Sequence, residues 1–456
     1  MTGQPFSCVV IGEETLLAEC TRLLLARGHT VAAVVSPSPE LLAWAEGEGL
    51  PAVRFGPDLA ERLAPLRFDY LFSIANLRML PDEVLALPAE LPVNFHDGPL
   101  PRHAGLFATS WAILEGDEQH AVTWHVMNRE ADTGDVLKQR PVPVDPEATA
   151  HDLDVACFDA GIESFAELVD ELAAGTVTRT PQDLGLRTYH GRYDGPPRAG
   201  VFDWRQPAAE LDALVRATSF GRRGNDFGTA LLALGDELVA VRGVEVTDRT
   251  STAEPGTVVG SAPDVLTVAT GDRDVRLTDL AGPTGERLDP VALADTVARV
   301  HDGRFPHLTD TAAAELVEAA RAAHRQERRW LRLLRSLEPV LPPGSVAWPT
   351  RAARPARSLC PKSSPAGAAR PSGSRSPRYW PFSPGSPAAM NATSPCPPRP
   401  SRARRPACWR PRCRCAPRRA CWSTRCPTSP TWPAPNSTGS GPARRTGVTY
   451  RCATPP

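Results

Sequence analysis

Three residues of types that suit acyl transfer, Asn94, His96 and Asp132, lie in one stretch of this chain. Asn94 and His96 are two residues apart in a segment with the composition of a strand, so their side chains project to the same side. An amide can stabilise the charge that develops on a carbonyl oxygen under attack, and an imidazole titrates near neutrality. Asp132 could orient the imidazole and help to move a proton from an attacking amine. The alternative is a histidine that only satisfies hydrogen bonds in the core.

The segments around these residues predict an α/β fold with a parallel sheet. Four apolar runs have the length and content of buried strands: residues 7–12, 29–35, 70–74 and 91–95. Residues 13–27 form an amphipathic helix between the first two, which gives a βαβ opening. Glu13 and Glu14 follow the single glycine of the first turn, and this excludes a dinucleotide-binding G-x-G-x-x-G site. Residues 76–81 follow the third strand, where ligands of open parallel sheets bind.

Four short motifs then occur in order over some forty residues. They are N-F-H at 94–96, P-L-P-R-H-A-G at 99–105, T-W-H-V-M at 123–127 and D-T-G-D at 132–135. Together they resemble the signature of the 10-formyltetrahydrofolate-dependent formyltransferase family. By this resemblance Asn94, His96 and Asp132 are the catalytic residues. The family commonly has Ser-Leu-Leu-Pro where this chain has Gly98-Pro99-Leu100-Pro101, so one hydroxyl contact is expected to be missing.

The resemblance also implies a Rossmann-like catalytic domain that uses 10-formyltetrahydrofolate as co-substrate and no metal. The loop after the third strand would hold the pterin through Arg78 and Leu80, and Arg129 to Asp132 would close the other side. The alternative for Leu80 is a side chain that dips into the core. His125 is expected to be structural rather than to line the site. His103 is expected at the surface, near the acceptor amine.

The sequence pattern predicts further segments after the catalytic domain. We expect a catalytic domain at residues 1–186, a turn-rich linker at 187–200, a small OB-like β-barrel at 201–290 and a helical segment at 291–340. Phe202-Asp203-Trp204 and Pro255-Gly256-Thr257 resemble the C-terminal domain of methionyl-tRNA formyltransferases and related enzymes.

Residues 341–456 form a segment of different composition. It contains no Asp or Glu and 20 Arg or Lys, together with eight of the eleven cysteines. It has no C-x-x-C pair and no helical or strand periodicity, so we expect disorder and no zinc site. A basic tail could bind nucleic acid, but its tryptophans lack a regular spacing. The composition fits an out-of-frame translation of GC-rich coding sequence, and we expect a frameshift near residue 340.

Charge bears on the acceptor of the formyl group. Without the tail, residues 1–338 hold 31 basic and 52 acidic groups, a net charge of −21. Residues 36–51, near the place where the tRNA enzymes carry a basic insertion, contain no Lys or Arg. Since nucleic acid is bound largely through its phosphates, methionyl-tRNA is disfavoured as acceptor. The motif N-F-H-D-G-P-L-P-R-H-A-G resembles the formyltransferase domains of nonribosomal peptide synthetases, which formylate an aminoacyl group on a carrier protein.

Other activities remain open at this stage. A free-standing transferase could act on an amino sugar, an ornithine-like amine or methionyl-tRNA. A hydrolase with the same triad would use water instead of the amine. Such hydrolases usually carry an added N-terminal domain, whereas this chain begins with a predicted strand, so we expect a transferase. With no signal peptide or membrane segment apparent, we expect a cytoplasmic protein.

Overall fold

The computed structural model describes residues 3–221, 225–235 and 237–337. The predicted tail at 341–456 and the end of the predicted helical segment at 338–340 lie outside the described residues.

The N-terminal region is built on a seven-stranded sheet with the order β3-β2-β1-β4-β5-β7-β8. Its strands are β1 (Ser7–Ile11), β2 (Thr30–Ser36), β3 (Ala52–Arg54), β4 (Tyr70–Ser73), β5 (Leu91–His96), β7 (Gln119–Val126) and β8 (Val136–Pro143). The pairs from β3 to β5 are parallel, as the apolar runs predict, whereas β5 with β7 and β7 with β8 are antiparallel. The short β3 and the strand β8 were not predicted, since neither is an apolar run.

Helices of this region cover both faces of the sheet. They are α1 (Thr15–Ala26), α2 (Pro39–Gly47), α3 (Leu59–Leu63), α4 (Asp82–Leu85), α5 (Ala108–Glu115) and α6 (Ala150–Ala174). Three 3-10 helices occur at Ala64–Leu66, Leu184–Leu186 and Pro197–Gly200. The amphipathic helix predicted at residues 13–27 is α1, with ends that differ by one or two residues.

Alternation along the strands divides the core into two layers. In β1, Cys8 and Val10 face a cluster with α1 and α6, while Val9 and Ile11 face a cluster with α3 and α4. Burial on both faces removes apolar side chains from water on each side, which stabilises a central strand. The α6 side contains the largest fully buried side chain, Trp124.

A two-stranded sheet joins the loop between β5 and α5 (residues 97–107) to the segment that leaves this region. Strand β6 (Ala104–Gly105) pairs in parallel with β9 (Tyr189–His190). The predicted linker at 187–200 therefore contributes a strand beside the predicted catalytic residues.

The C-terminal region is a five-stranded antiparallel sheet with the order β10-β11-β14-β13-β12. Its strands are β10 (Leu231–Leu234), β11 (Glu237–Thr250), β12 (Val258–Ala262), β13 (Val265–Ala269) and β14 (Arg273–Ala281). Helices α7 (Ala208–Ala217) and α8 (Pro290–Val300) pack on it around Trp204 and Phe305. This confirms an antiparallel-sheet domain after the Rossmann-like one; its bounds and its closure into an OB-like barrel stay predictions. Helix α9 (Asp310–Ser336) follows.

Among the described helices, none combines the length and the apolar character that crossing a bilayer requires.

Candidate active site

Strand β5 presents the two predicted catalytic residues on one face. Val93 and Phe95 lie in the core with α6, so the alternation turns Asn94 and His96 to the opposite side. The antiparallel register with β7 places Asn94 opposite His125. Residues directly opposite in such a pair have adjacent side chains on one face.

His125 links Asn94 to Asp132. The Nε2 atom of His125 lies 3.2 Å from Asn94 Nδ2 and 3.4 Å from Asp132 Oδ1. Its Nδ1 donates to the Val126 carbonyl oxygen at 3.0 Å, because a carbonyl oxygen can only accept. In the neutral ring Nε2 is therefore an acceptor for the Asn94 amide. Only a protonated His125 could donate from Nε2 to Asp132.

His96 is 5% exposed and has its two ring nitrogens in different surroundings. Nε2 donates to the His103 carbonyl oxygen at 2.8 Å. Nδ1 lies 3.9 Å from Asp132 Oδ2 and 3.8 Å from Asp97 Oδ1. Nδ1 is thus the nitrogen that faces the carboxylates.

Asp132 lies in the loop between β7 and β8 with φ 58°, a left-handed conformation that aspartate tolerates better than most residues. The Gly105 amide donates to its Oδ2 at 2.8 Å. Burial raises the pKa of the Asp132 carboxyl. The positive charge that His96 and His125 carry when protonated, the hydrogen bond that protonated His125 can donate and the hydrogen bond from the Gly105 amide lower the pKa by more, so the net pKa is well below its usual range. Asp132 is therefore ionised at neutral pH.

The structure thus brings Asn94 and His96 together as their spacing predicts, and it places Asp132 beside them as the resemblance implies. His125 is the member that the sequence placed outside the site. The alternation of β7 puts Thr123 and His125 on one face, but only the antiparallel register with β5 shows that this face carries the site. An N-x-H and an x-T-x-H pattern on two adjacent strands are the signal that could have found it.

The residues predicted to hold the pterin differ in exposure. Arg78 is exposed, pairs with Glu13 at 2.8 Å and lies over the Phe55 ring. Leu80 is 7% exposed and packs in the cluster with α3 and α4, so a ligand could meet this position only through the backbone. Arg129 is exposed in the loop before Asp132.

Apolar side chains are exposed in the loop after β4, which contains Arg78. Leu77 and Met79 are 64% and 63% exposed. They follow the carboxyl end of β4, where a flat ring could pack on them.

His103 is buried, and the prediction that it lies at the surface is wrong. It is 0% exposed; its Nε2 lies 2.9 Å from Asp117 Oδ2 and its Nδ1 lies 3.2 Å from His190 Nε2. Burial and the nearby His103 lower the pKa of His190 to about 4. The His190 ring stacks on Trp111 with centroids 4.4 Å apart.

Three side chains with atoms that can ligate a metal, those of His103, Glu115 and His190, lie within 4.8 Å of one another. Arg102 Nη2 lies 3.5 Å from Glu115 Oε2 and 2.8 Å from Asp117 Oδ1. A guanidinium therefore already neutralises the carboxylates here, and we assign no metal to this group.

Two family models match this chain. The profile of the family described as "Formyl transferase" matches residues 25–169, and that described as "Formyl transferase, C-terminal domain" matches residues 197–296. Together the two matches cover more than half of the 456 residues, and the first contains all three predicted catalytic residues.

Curated relatives include two methionyl-tRNA formyltransferases. That of Roseiflexus castenholzii is 33% identical over 239 residues, which is 52% of this chain and 72% of the relative. That of Roseiflexus sp. (strain RS-1) is 30% identical over 264 residues, which is 55% of this chain and 78% of the relative.

A solved structure with a similar fold is an N-formyltransferase from Helicobacter canadensis, crystallised with folinic acid and dTDP-3-aminofucose. It is 17% identical, with a TM-score of 0.49, over 60% of this chain and 99% of that chain. The domain matches and the curated relatives together show that this chain belongs to the formyltransferase family and is a formyl-transferring enzyme.

Proposed function

We propose that this enzyme moves the formyl group of 10-formyltetrahydrofolate to the amine of an aminoacyl group held on a carrier protein. The observation that carries the transfer chemistry is the cluster of Asn94, His125, Asp132 and His96, linked by contacts of 3.2 to 3.9 Å. The exposed Leu77 and Met79 beside the loop of Arg78 supply an apolar surface for the pterin. The buried free thiols of Cys8, Cys20 and Cys157 suit a reducing, cytoplasmic location.

The proposed reaction begins with attack of a neutral amine on the formyl carbon. The Asn94 amide then donates to the carbonyl oxygen as it becomes negative. The attacking nitrogen loses a proton to His96 Nδ1, and the imidazolium passes a proton to N10 of the folate as the C–N10 bond breaks, which restores neutral His96. The products are a formamide and tetrahydrofolate.

Asp132 has an electrostatic part in this scheme rather than the proton-relay part that the sequence suggests. Its lowered pKa makes the carboxylate a weak base, so it does not hold the amine proton. Its charge instead stabilises the imidazolium that forms when His96 Nδ1, 3.9 Å away, takes the proton.

Charge favours a carrier-bound acceptor over tRNA. Residues 1–338 carry a net charge of −21, and helix α2 carries Glu40 and Glu46 but no basic residue. A carrier that is tethered to the same assembly needs only a weak docking surface, because tethering raises its effective concentration. The 30–33% identity to methionyl-tRNA formyltransferases makes methionyl-tRNA the second candidate acceptor.

The test supplies the full chain and 10-formyltetrahydrofolate with one acceptor at a time. The acceptors are aminoacyl phosphopantetheine carrier domains with different amino acids, a dTDP-amino sugar, ornithine, methionyl-tRNA and no amine. Tetrahydrofolate is followed by absorbance and the formylated product by mass spectrometry, with Asn94→Ala as the background control. We expect the fastest transfer to a carrier-bound aminoacyl group. Faster transfer to methionyl-tRNA would replace the proposed acceptor, and folate consumption without amine would show a hydrolase.

A further inference from the structure

The loop after β5, residues 97–103, determines which nitrogen of His96 carries a proton. The carbonyl oxygen of His103, at the end of this loop, accepts from His96 Nε2 at 2.8 Å. A carbonyl oxygen has no hydrogen to give, so Nε2 must hold one. The neutral ring then keeps its lone pair on Nδ1, the nitrogen that faces Asp132 and Asp97.

Side chains of β7 and β8 fix the middle of the loop. The Thr123 hydroxyl donates to the Gly98 carbonyl oxygen at 2.7 Å. Gln139 Nε2 donates to the Leu100 carbonyl oxygen at 3.0 Å. Both donors lie on rigid strands, so the path of the loop is tied to the sheet.

The buried side chain of His103 fixes the end of the loop. Its backbone has φ 52°, and its amide donates to Thr188 Oγ1 at 2.7 Å. Its ring is held between Asp117 at 2.9 Å and His190 at 3.2 Å. Burial raises the pKa of the Asp117 carboxyl, but the hydrogen bonds from Arg102 and His103 lower this pKa by a larger amount. The net pKa lies below the usual range, so Asp117 keeps the negative charge that holds His103.

Gly98 provides the space in which this contact forms. A Cβ atom at this position would lie 2.6 Å from His96 Nε2 and 3.1 Å from the His103 carbonyl oxygen. Both atoms belong to the hydrogen bond itself; one is in the ring of a buried side chain and the other is in the backbone. A side chain here would therefore move the His96 ring or separate it from the carbonyl.

We propose that Gly98 and the buried His103 are positioning residues that hold His96 in its Nε2–H tautomer, with Nδ1 free to take the proton of the amine. The part concerning Nδ1 as proton acceptor rests on the proposed function. The tautomer itself follows from the contacts alone. A serine at position 98, which this family commonly has, should therefore impair this enzyme.

The experiment is long-range ¹H–¹⁵N NMR of the full chain with ¹⁵N-labelled histidine. The His96 signals are assigned by their loss in His96→Gln. We expect the wild-type ring to be the Nε2–H tautomer. A wild-type Nδ1–H tautomer would overturn the proposal, whether or not any variant folds.

Gly98→Ser is compared with Gly47→Ser, because a Cβ at Gly47 meets no atom within 4 Å. We expect Gly98→Ser to lose the single tautomer and to lower kcat by about 10²-fold or more, the contribution typical of a positioned acid or base. Gly47→Ser should change neither. His103→Asn, which tolerates positive φ but lacks the ring, should weaken the tautomer preference in the same direction. If Gly98→Ser keeps both the wild-type tautomer and the wild-type kcat, the positioning proposal is wrong. If the tautomers are as expected but the enzyme transfers formyl to none of the amines, only the proposed function is wrong.

Discussion

At the scale of single residues, His125 fixes the orientation of the Asn94 side-chain amide. His125 gives its Nδ1 hydrogen to the Val126 carbonyl oxygen, so its Nε2 is free to accept from Asn94 Nδ2 at 3.2 Å. One amide hydrogen is thereby held, and the second is left for the formyl oxygen. His125 would act on the reaction through Asn94.

This arrangement predicts how two substitutions combine. Asn94→Ala should lower kcat by about 10² to 10³, the usual effect of removing one oxyanion donor. His125→Leu should also lower kcat, because the amide loses its acceptor. The double variant should be no slower than Asn94→Ala, since both changes act through the same amide. Single-turnover transfer rates measure these effects.

Folate affinity, measured by fluorescence titration, should stay near the wild-type value in all three variants. Losses that multiply in the double variant would show that His125 acts independently of Asn94.

The types and spacing of Asn94 and His96 predict that their side chains converge, and the family resemblance adds Asp132 to the candidate site. The sequence does not predict the surroundings of His103 or the role of His125. Both depend on partners far along the chain, and a hydrogen-bond partner 31 or 87 residues away leaves no local pattern.

At the scale of elements, helix α6 positions strand β5. Gly161 of α6 lies against Phe95, which separates Asn94 from His96 in the strand. A Cβ at Gly161 would lie 2.8 Å from Phe95 Cε2. The centroid of the Phe95 ring lies 5.1 Å from that of the Trp124 ring, so the Phe95 ring has little space to move away from Gly161.

Gly161→Ala should therefore destabilise the enzyme although alanine favours helices by about 1 kcal/mol. Overpacking of this kind costs about 1–3 kcal/mol, so we expect a lower Tm in thermal unfolding. If the added methyl group displaces Phe95, it should also displace Asn94 and His96 on either side in β5 and so lower kcat.

Gly47→Ala is the matched control, because Gly47 ends α2 with open space around its Cα. Its Tm should stay the same or rise slightly. Phe95→Leu combined with Gly161→Ala should recover part of the lost Tm. A rise in Tm with Gly161→Ala alone would contradict the close contact.

Element types follow from the sequence where helical periodicity is strong, as in α1, or where an apolar run is continuous, as in the parallel strands β1, β2, β4 and β5. The sequence did not predict β8, since Lys138, Gln139 and Arg140 lie within it. Lys138 and Arg140 form ion pairs with carboxylates of α6, among them Glu167, which is why an edge strand accepts them.

At the scale of the whole molecule, buried histidines make stability depend on pH. His120 is 2% exposed and donates from Nε2 to the Asp97 carbonyl oxygen at 2.6 Å. Burial lowers its pKa from 6.5 to about 4; the Asp97 contact and charge oppose this shift, and His103 and His96 add to it. The folded state therefore favours the neutral ring.

A pKa that is lower in the folded than in the unfolded state adds stability that is full above the unfolded value. For His120 this stability is lost as the pH falls from 6.5 towards 4. We expect the Tm to decrease over this range, and His120→Gln to reduce the decrease, since glutamine keeps an N–H for Asp97. His307→Gln, at a side chain 37% exposed, serves as control. The same pH slope in His120→Gln and wild type would contradict the assignment.

The order of the two domains is predictable from the sequence, because hydrophobic periodicity and turn residues mark each region. The contact between the linker and the loop between β5 and α5 is not predictable. Strand β9 has two residues, too few for any period to appear.

This short strand matters for engineering. Tyr189 and His190 pair with Ala104 and Gly105, and Thr188 accepts from the His103 amide. A fragment of the enzyme that ends at residue 186 would lack these contacts to the loop between β5 and α5. Fragments prepared for separate study should therefore extend beyond residue 190, so that they keep the residues that support the loop.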